Sequence, residues 1–462
     1  MMMRTVFMLL AALALHAEAA TFDAATVERG RYLATASDCM ACHTARHGKA
    51  MAGGLVLSSP VGNIVSTNIT PSKQYGIGNY TEQQFSDAVR KGVRADGQNL
   101  YPAMPYNAYA VMTDDDIRAM YAYFMQDVTP VEQGTKPTEL PFPMSVRASM
   151  KVWNAMFLDN KPLKPEPQRS EQWLRGRYLA DGAAHCSSCH TPRGLLMQEK
   201  KELYLTGSQV GPWYAPNITS HPTAGIGSWT EAELVRYLRT GRVEGKAQAA
   251  GSMAEAISYS FSRLSDADLR AIAVYIKDLP PVAGEQPVAR FNQGQAGNAL
   301  PGFRGKTYNE SIKGPHLGAQ VFSANCASCH GFNGQGSKDG YYPSLFHNSA
   351  MMNNSNLLAT ILFGVERETK DGHVFMPPFG DQPNAVKHLS NDEVAALANY
   401  LQVSYGGGAP GIKVEDVAMI RQGGPQSNLL LLARLAMIVG LLALAALIIV
   451  LLRRRAQSKQ GE

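Results

Sequence analysis

The pentapeptide pattern Cys-x-x-Cys-His occurs three times, as Cys39-Met40-Ala41-Cys42-His43, Cys186-Ser187-Ser188-Cys189-His190 and Cys326-Ala327-Ser328-Cys329-His330. This spacing lets two thiols form thioethers with the vinyl groups of one haem while the imidazole of the next residue ligates the iron. A lone Cys-x-x-Cys also serves as a redox dithiol or as half of a zinc site, and a single Cys-x-x-Cys-His as a zinc-knuckle fragment. The three complete copies use all six cysteines, leaving none for disulfides or further zinc ligands. The pattern therefore points to three covalently bound haem c groups.

Both ends of the chain carry apolar runs. Arg4, the run from Val6 to Leu15 and the small residues Ala17, Ala19 and Ala20 read as a secretory signal peptide over 1–19, with the mature chain starting near Thr21. Export agrees with haem attachment on the outer side of the bacterial inner membrane. At the other end, Leu435 to Leu452 is free of charge and extends back to Leu429 if Arg434 snorkels. Eighteen such residues make a helix of about 27 Å, close to the hydrocarbon thickness, so 429–452 reads as a transmembrane helix. Arg453, Arg454, Arg455 and Lys459 in the tail 453–462 place that tail in the cytoplasm and the haem units on the periplasmic side. The formal net charge of +5 gathers around this span, so no basic surface for nucleic acid is implied.

A length of 462 residues suits about three domains, and internal repetition gives the same count. A helical pattern containing glycine precedes each haem motif: Val27 to Thr35 around Gly30, Glu171 to Ala180 around Gly176, and Gly318 to Ser323. A helix with a clear N-cap and acidic first turn follows each motif, starting at Thr113, Ser265 and Ser390, with Tyr123, Tyr275 and Tyr400 ten residues beyond the cap. The first two units also share Asn68-Ile69-Thr70 with Asn217-Ile218-Thr219, and Gly76-Ile77-Gly78 with Gly225-Ile226-Gly227; these are expected to be ordered loops packing the haem edge. Proline- and glycine-rich stretches mark connectors. The expected division is 21–129, a Pro-rich linker 130–167, 168–280, a Pro/Gly-rich linker 281–310, 311–405, and a flexible linker 406–428. Within the first linker, Val146 to Phe157 is amphipathic enough to form a short helix.

The sixth iron ligand decides whether a haem carries electrons or reacts. Each unit offers a methionine between its haem motif and its capped helix: Met104 in Tyr101-Pro102-Ala103-Met104-Pro105, Met253 in Gly251-Ser252-Met253, and Met376 in Phe375-Met376-Pro377-Pro378. They stand 61, 63 and 46 residues after His43, His190 and His330. Thioether ligation raises the haem potential relative to a second imidazole. With 20 methionines present, packing in the core is the competing role. Met112, Met120, Met351 and Met352 do not lie in comparable loops. His185, His221, His316, His347, His373 and His388 show no metal-ligand spacing and read as structural or surface groups.

The three haem motifs, the paired Asn-Ile-Thr and Gly-Ile-Gly loops, the Pro-Ala-Met-Pro loop and the signal sequence together resemble the cytochrome c subunits of bacterial membrane-bound alcohol, aldehyde, gluconate, sorbitol and fructose dehydrogenases. The resemblance runs from about Val27 to Tyr400. It implies a mainly α fold of three tandem class I cytochrome c domains, with axial pairs His43 and Met104, His190 and Met253, and His330 and Met376, and Cys39, Cys42, Cys186, Cys189, Cys326 and Cys329 holding the haems. It also implies an electron-transfer subunit without catalytic residues of its own. Its partners would be an FAD- or PQQ-type catalytic subunit acting on CH–OH or aldehyde donors, a small third subunit, and ubiquinone. No dinucleotide fingerprint or quinoprotein motif is present, so substrate chemistry belongs to the partner. Two other readings stand beside it: a free-standing carrier to an oxidase or from a molybdenum hydroxylase, and a multihaem redox enzyme with one open iron site.

Overall fold

The computed structural model describes residues 21–283, 291–297 and 315–458. The expected signal peptide, much of the 281–310 linker and the end of the cytoplasmic tail lie outside the described residues. Each unit is framed by two crossing helices. The first helices are Ala24–Ala36, Glu171–Tyr178 with a π turn at Leu179–Ala183, and Pro315–Asn325; the second are Asp114–Gln126, Asp266–Asp278 and Asn391–Leu401. The second helices start where the sequence places them, because the Thr113, Ser265 and Ser390 side chains accept from the backbone N–H three residues on.

Glycine makes the crossings possible. A Cβ on Gly30 would stand 1.8 Å from the Ala119 carbonyl oxygen, on Gly176 1.9 Å from that of Ala271, and on Gly318 2.1 Å from that of Ala396. The next nearest side-chain atoms are the Cβ atoms of Tyr123, Tyr275 and Tyr400. The repeated glycine and the repeated tyrosine are thus the two halves of one helix–helix contact, made three times.

A third helix packs beside each pair: Glu82–Lys91, Glu231–Thr240 and Asn354–Phe363. The first two carry capping boxes, Thr81 with Gln84 and Thr230 with Glu233, and stop at the left-handed glycines Gly92 and Gly241. Sheet is confined, among the described residues, to four two-stranded antiparallel hairpins. The longest pairs Val365–Thr369 with Gly372–Met376, Val365 lying opposite Met376.

Units one and two share one continuous core, whereas unit three has its own. Two reciprocal latches join the first pair. Arg29 holds Asp116 within unit one, and Tyr178 of unit two donates to the same carboxylate at 2.5 Å; Arg175 holds Asp268 within unit two, and Tyr32 of unit one donates to it at 2.6 Å. Each phenol oxygen also accepts from the N–H of a helix-cap residue across the interface, Thr113 or Ser265. Equivalent residues contacting each other in both directions define a pseudo-two-fold axis, as in an isologous dimer. Unit three joins unit two differently. The Asn356 amide pairs with both the N–H and the carbonyl of Tyr214, at 2.8 and 2.9 Å, and the ring of Trp213 packs on Phe363.

The connectors depart from expectation in one place. The first linker carries the helix Ser149–Phe157, docked through the buried Trp153, as its amphipathic pattern implied. Residues 406–428, expected to be flexible, instead fold onto unit three. The helix Val414–Arg421 buries Val417 and Ile420, Asn399 bonds the backbone at Gly411 and Ile412, and Arg421 ties to Asn391, Asp381 and the Leu389 carbonyl. The helix is only eight residues long and is flanked by Gly406, Gly407, Gly408, Gly411, Gly423 and Gly424, so the stretch as a whole reads as a loose connector. The last helix is Leu429–Ser458, of which Leu429–Arg454 is long and apolar enough to cross a membrane.

Two outcomes follow from these contacts. Gly176→Ala drives a methyl into backbone and should destabilise unit two by at least about 1–3 kcal/mol, read as a lowered denaturation midpoint of the haem-loaded chain. Burial raises the Asp268 carboxyl, but its bonds to Arg175 and Tyr32 outweigh that and hold it below its ordinary value of 3.8. The latch stability it contributes is therefore full above that value and lost as pH falls through the lower, folded one. The hydrogen-exchange protection factor of the Ser265 N–H should fall in Tyr32→Phe at neutral pH, and in the parent chain only in acid.

Candidate haem sites

Each haem motif begins where the first framework helix of its unit ends. The motif helices are Cys39–His43, Ser187–His190 and Ala327–His330. In the first two units the residue before the first cysteine turns the chain through the left-handed region, Asp38 at φ 53° and His185 at φ 38°.

The three histidines are held alike. Nδ1 of His43 lies 2.7 Å from the Thr67 carbonyl oxygen, that of His190 2.7 Å from Pro216, and that of His330 3.0 Å from Pro343. A carbonyl only accepts, so Nδ1 carries the proton and Nε2 keeps its lone pair for a metal. Burial lowers the pKa of His43 and His330, which favours the neutral imidazole an iron requires. Burial likewise pushes the thiols of Cys39, Cys42, Cys186 and Cys326 up to about 12. Such thiols are not the activated thiolates of a dithiol oxidoreductase. All six cysteines are free, and among the described residues no group of three or more His, Cys, Asp or Glu is arranged to hold a metal ion. The donor sets therefore fit covalent haem.

In unit two the complete set converges. Cys186, Cys189, His190 and Met253 line a single cavity whose walls include Ile218, Ile226 and Trp229. This apolar chamber draws on all three units, since Asp38 of unit one and Asn356 and Thr360 of unit three also border it. Met104 and Cys39 pack against the shared core of units one and two, and Met376 and Cys326 against that of unit three. Only Met104 occupies a loop. Met253 lies in the first turn of the helix Gly251–Tyr259, started by left-handed Gly251, and Met376 ends a strand. Met112, Met120 and Met351 are buried core residues.

The Asn-Ile-Thr loops divide their labour. Ile218 faces the cavity, but Asn217 is turned to the connector, donating to the Val282 carbonyl and accepting from Thr219. Asn68 does the same with Val131, Gln133 and Thr70. These loops fasten the chain's exit from each unit directly behind the carbonyl that orients the histidine. The remaining histidines include structural groups, such as His221 accepting from Thr223 and Ala224 and His388 bonded to the Gly380 carbonyl. His185 borders the unit-two cavity, with its ring edge against Tyr109 of unit one.

One residue escaped the sequence reading. Arg367, on the unit-three hairpin, is only 1% exposed and reaches into unit two, donating to the Ala249 carbonyl at 2.7 Å and to Gln248 at 3.2 Å. Its Nε has no partner, and burial lowers its pKa. It fills the space over left-handed Gly241, where Tyr106 covers the equivalent Gly92 in unit one. An arginine in an alternating strand pattern gives no sign of such burial.

Comparison with known proteins agrees with this geometry. The cytochrome c family model matches residues 27–126, 174–280 and 316–404. The chain is 45% identical over 415 residues to the fructose dehydrogenase cytochrome subunit of Gluconobacter japonicus, covering 88% of this chain and 85% of that one. It is 38% identical to the cytochrome c subunit of the quinone-type alcohol dehydrogenase of Gluconobacter oxydans (strain 621H), over 89% of this chain and 85% of the relative. It is also 38% identical to the gluconate 2-dehydrogenase cytochrome c subunit of Pantoea cypripedii, over 86% and 90%. With three matched domains and relatives aligned along most of their lengths, the chain belongs to the cytochrome c family, in the group formed by the cytochrome subunits of dehydrogenase complexes.

Proposed function

We propose that this chain is a tri-haem electron carrier that takes electrons from a partner periplasmic dehydrogenase and delivers them to membrane ubiquinone. The observation that carries the reading is the threefold recurrence of one donor geometry, a Cys-x-x-Cys-His turn whose imidazole is oriented by a backbone carbonyl. The relatives support the partner. They are named as cytochrome subunits of fructose, alcohol and gluconate dehydrogenases, and the alcohol enzyme's name includes quinone. An FAD- or PQQ-type catalytic subunit oxidising a CH–OH or aldehyde donor fits that group.

When bound, each haem supplies one-electron carriage. The chain's own residues would hold it: Cys39 and Cys42, Cys186 and Cys189, and Cys326 and Cys329 through thioether bonds, and His43 with Met104, His190 with Met253, and His330 with Met376 as iron ligands. The largely apolar walls of the unit-two cavity would disfavour the charged state of a bound haem and favour a raised potential. Because that cavity borders units one and three, site two is suited to be the central relay. The C-terminal helix would anchor the assembly, with the haem units on the periplasmic face.

The intact mass of the purified mature chain should exceed that of the apo-polypeptide by three haem equivalents; two would remove one unit from the account. Replacing Met104, Met253 and Met376 singly with alanine should each abolish one share of the near-infrared charge-transfer band of Met-ligated ferric haem. A band unchanged in Met253→Ala would assign unit two another ligand and favour a reaction site there.

A further inference from the structure

The linker helix Ser149–Phe157 presents the wrong face to water. Trp153 points inward, its ring against Tyr106 and its Nε1 donating to the Leu196 carbonyl at 2.9 Å. Val152 and Met156, one turn apart on the outer face, are 62% and 55% exposed. Leu195, next to the Leu196 whose carbonyl accepts from Trp153, is 66% exposed, and Phe142, seven residues before the helix, 59%. One large apolar residue in the open is ordinary, but four on one short segment and the loop it docks on mark a contact surface.

Two observations identify what covers it. The Arg434 guanidinium donates to the Phe142 carbonyl at 3.1 Å, so the patch begins beside the root of the C-terminal helix. Arg434 is five residues into that helix, about 8 Å along its axis, and the uncharged run starts at Leu435. The 26-residue apolar stretch is about 39 Å long, more than the hydrocarbon core of about 30 Å, so its first turns lie at headgroup depth. Phe142 sits at that same level. The segment 142–157 also carries the exposed Lys151 and the half-buried Arg147 and no acidic residue, a charge balance that suits an anionic interface.

We propose that the segment 142–157, together with Leu195 and Leu196, rests on the lipid surface as a second, interfacial membrane contact. The proposal rests on reading Leu429–Arg454 as a membrane span. A single span leaves the soluble body free to tilt; a second contact beside its root fixes which face of units one and two looks at the bilayer.

The test uses the haem-loaded full chain, without its dehydrogenase, in nanodiscs of phosphatidylcholine and phosphatidylglycerol. The photocrosslinker p-benzoylphenylalanine is placed singly at Val152, at Leu444 within the span, and at the exposed Asp115. Intact mass should reveal phospholipid adducts at Val152 within a few-fold of those at Leu444, and none at Asp115. Adducts at Leu444 but none at Val152 would overturn the second contact and leave the anchor standing. Crosslinks from Val152 to another protein chain would overturn lipid as the occupant. Absence of lipid adducts at Leu444 as well would overturn the span and, with it, this proposal.

Discussion

Everything in this molecule depends on two helices passing closer than side chains normally allow. At Gly30, Gly176 and Gly318 the backbone of one helix touches the backbone of the other, with a tyrosine closing the gap. That contact fixes the end of the first helix, where the haem motif begins, relative to the second helix and its neighbours. The loop carrying the His-orienting carbonyl is then fastened by Asn68 or Asn217 to the strand of chain leaving the unit. The fold thus fixes each imidazole in its Nδ1-protonated tautomer.

The units are not independent beads. The Tyr32 and Tyr178 latches give units one and two a shared core and bring their motifs together. Asp38, next to Cys39, borders the unit-two cavity, and its carboxyl is pushed well above its ordinary range by burial and by Glu255 of unit two. Unit three contributes a buried cation, Arg367, without a carboxylate among its hydrogen-bond partners. Burying a charge without a carboxylate partner is costly, and the acceptor oxygens of Ala249 and Gln248 in unit two offset part of that cost.

Much of this was legible in the sequence because it is local. The haem motifs, the capped helices and the Gly/Tyr repeats are each encoded within a few residues, and the structure returned them at the expected positions. What escaped was non-local. Nothing in the neighbourhood of Arg367 announces that its partner is a carbonyl 118 residues away. The packing of 406–428 depends on Asn399 and Asn391, which look like ordinary helix residues. The methionines were legible as candidates, yet the expected loop setting holds only for Met104, since Met253 reaches its cavity wall from a helix and Met376 ends a strand.

The central claim is that this chain conducts electrons delivered by another subunit and does not itself oxidise the donor. Anaerobic stopped-flow spectroscopy tests it directly, following the reduced haem α-band of the chain with and without its co-purified dehydrogenase after mixing with that enzyme's donor substrate. The account predicts that all three haems become reduced only when the dehydrogenase is present. Reduction of the isolated chain by the donor at a comparable rate would contradict it, and would make this protein an enzyme in its own right.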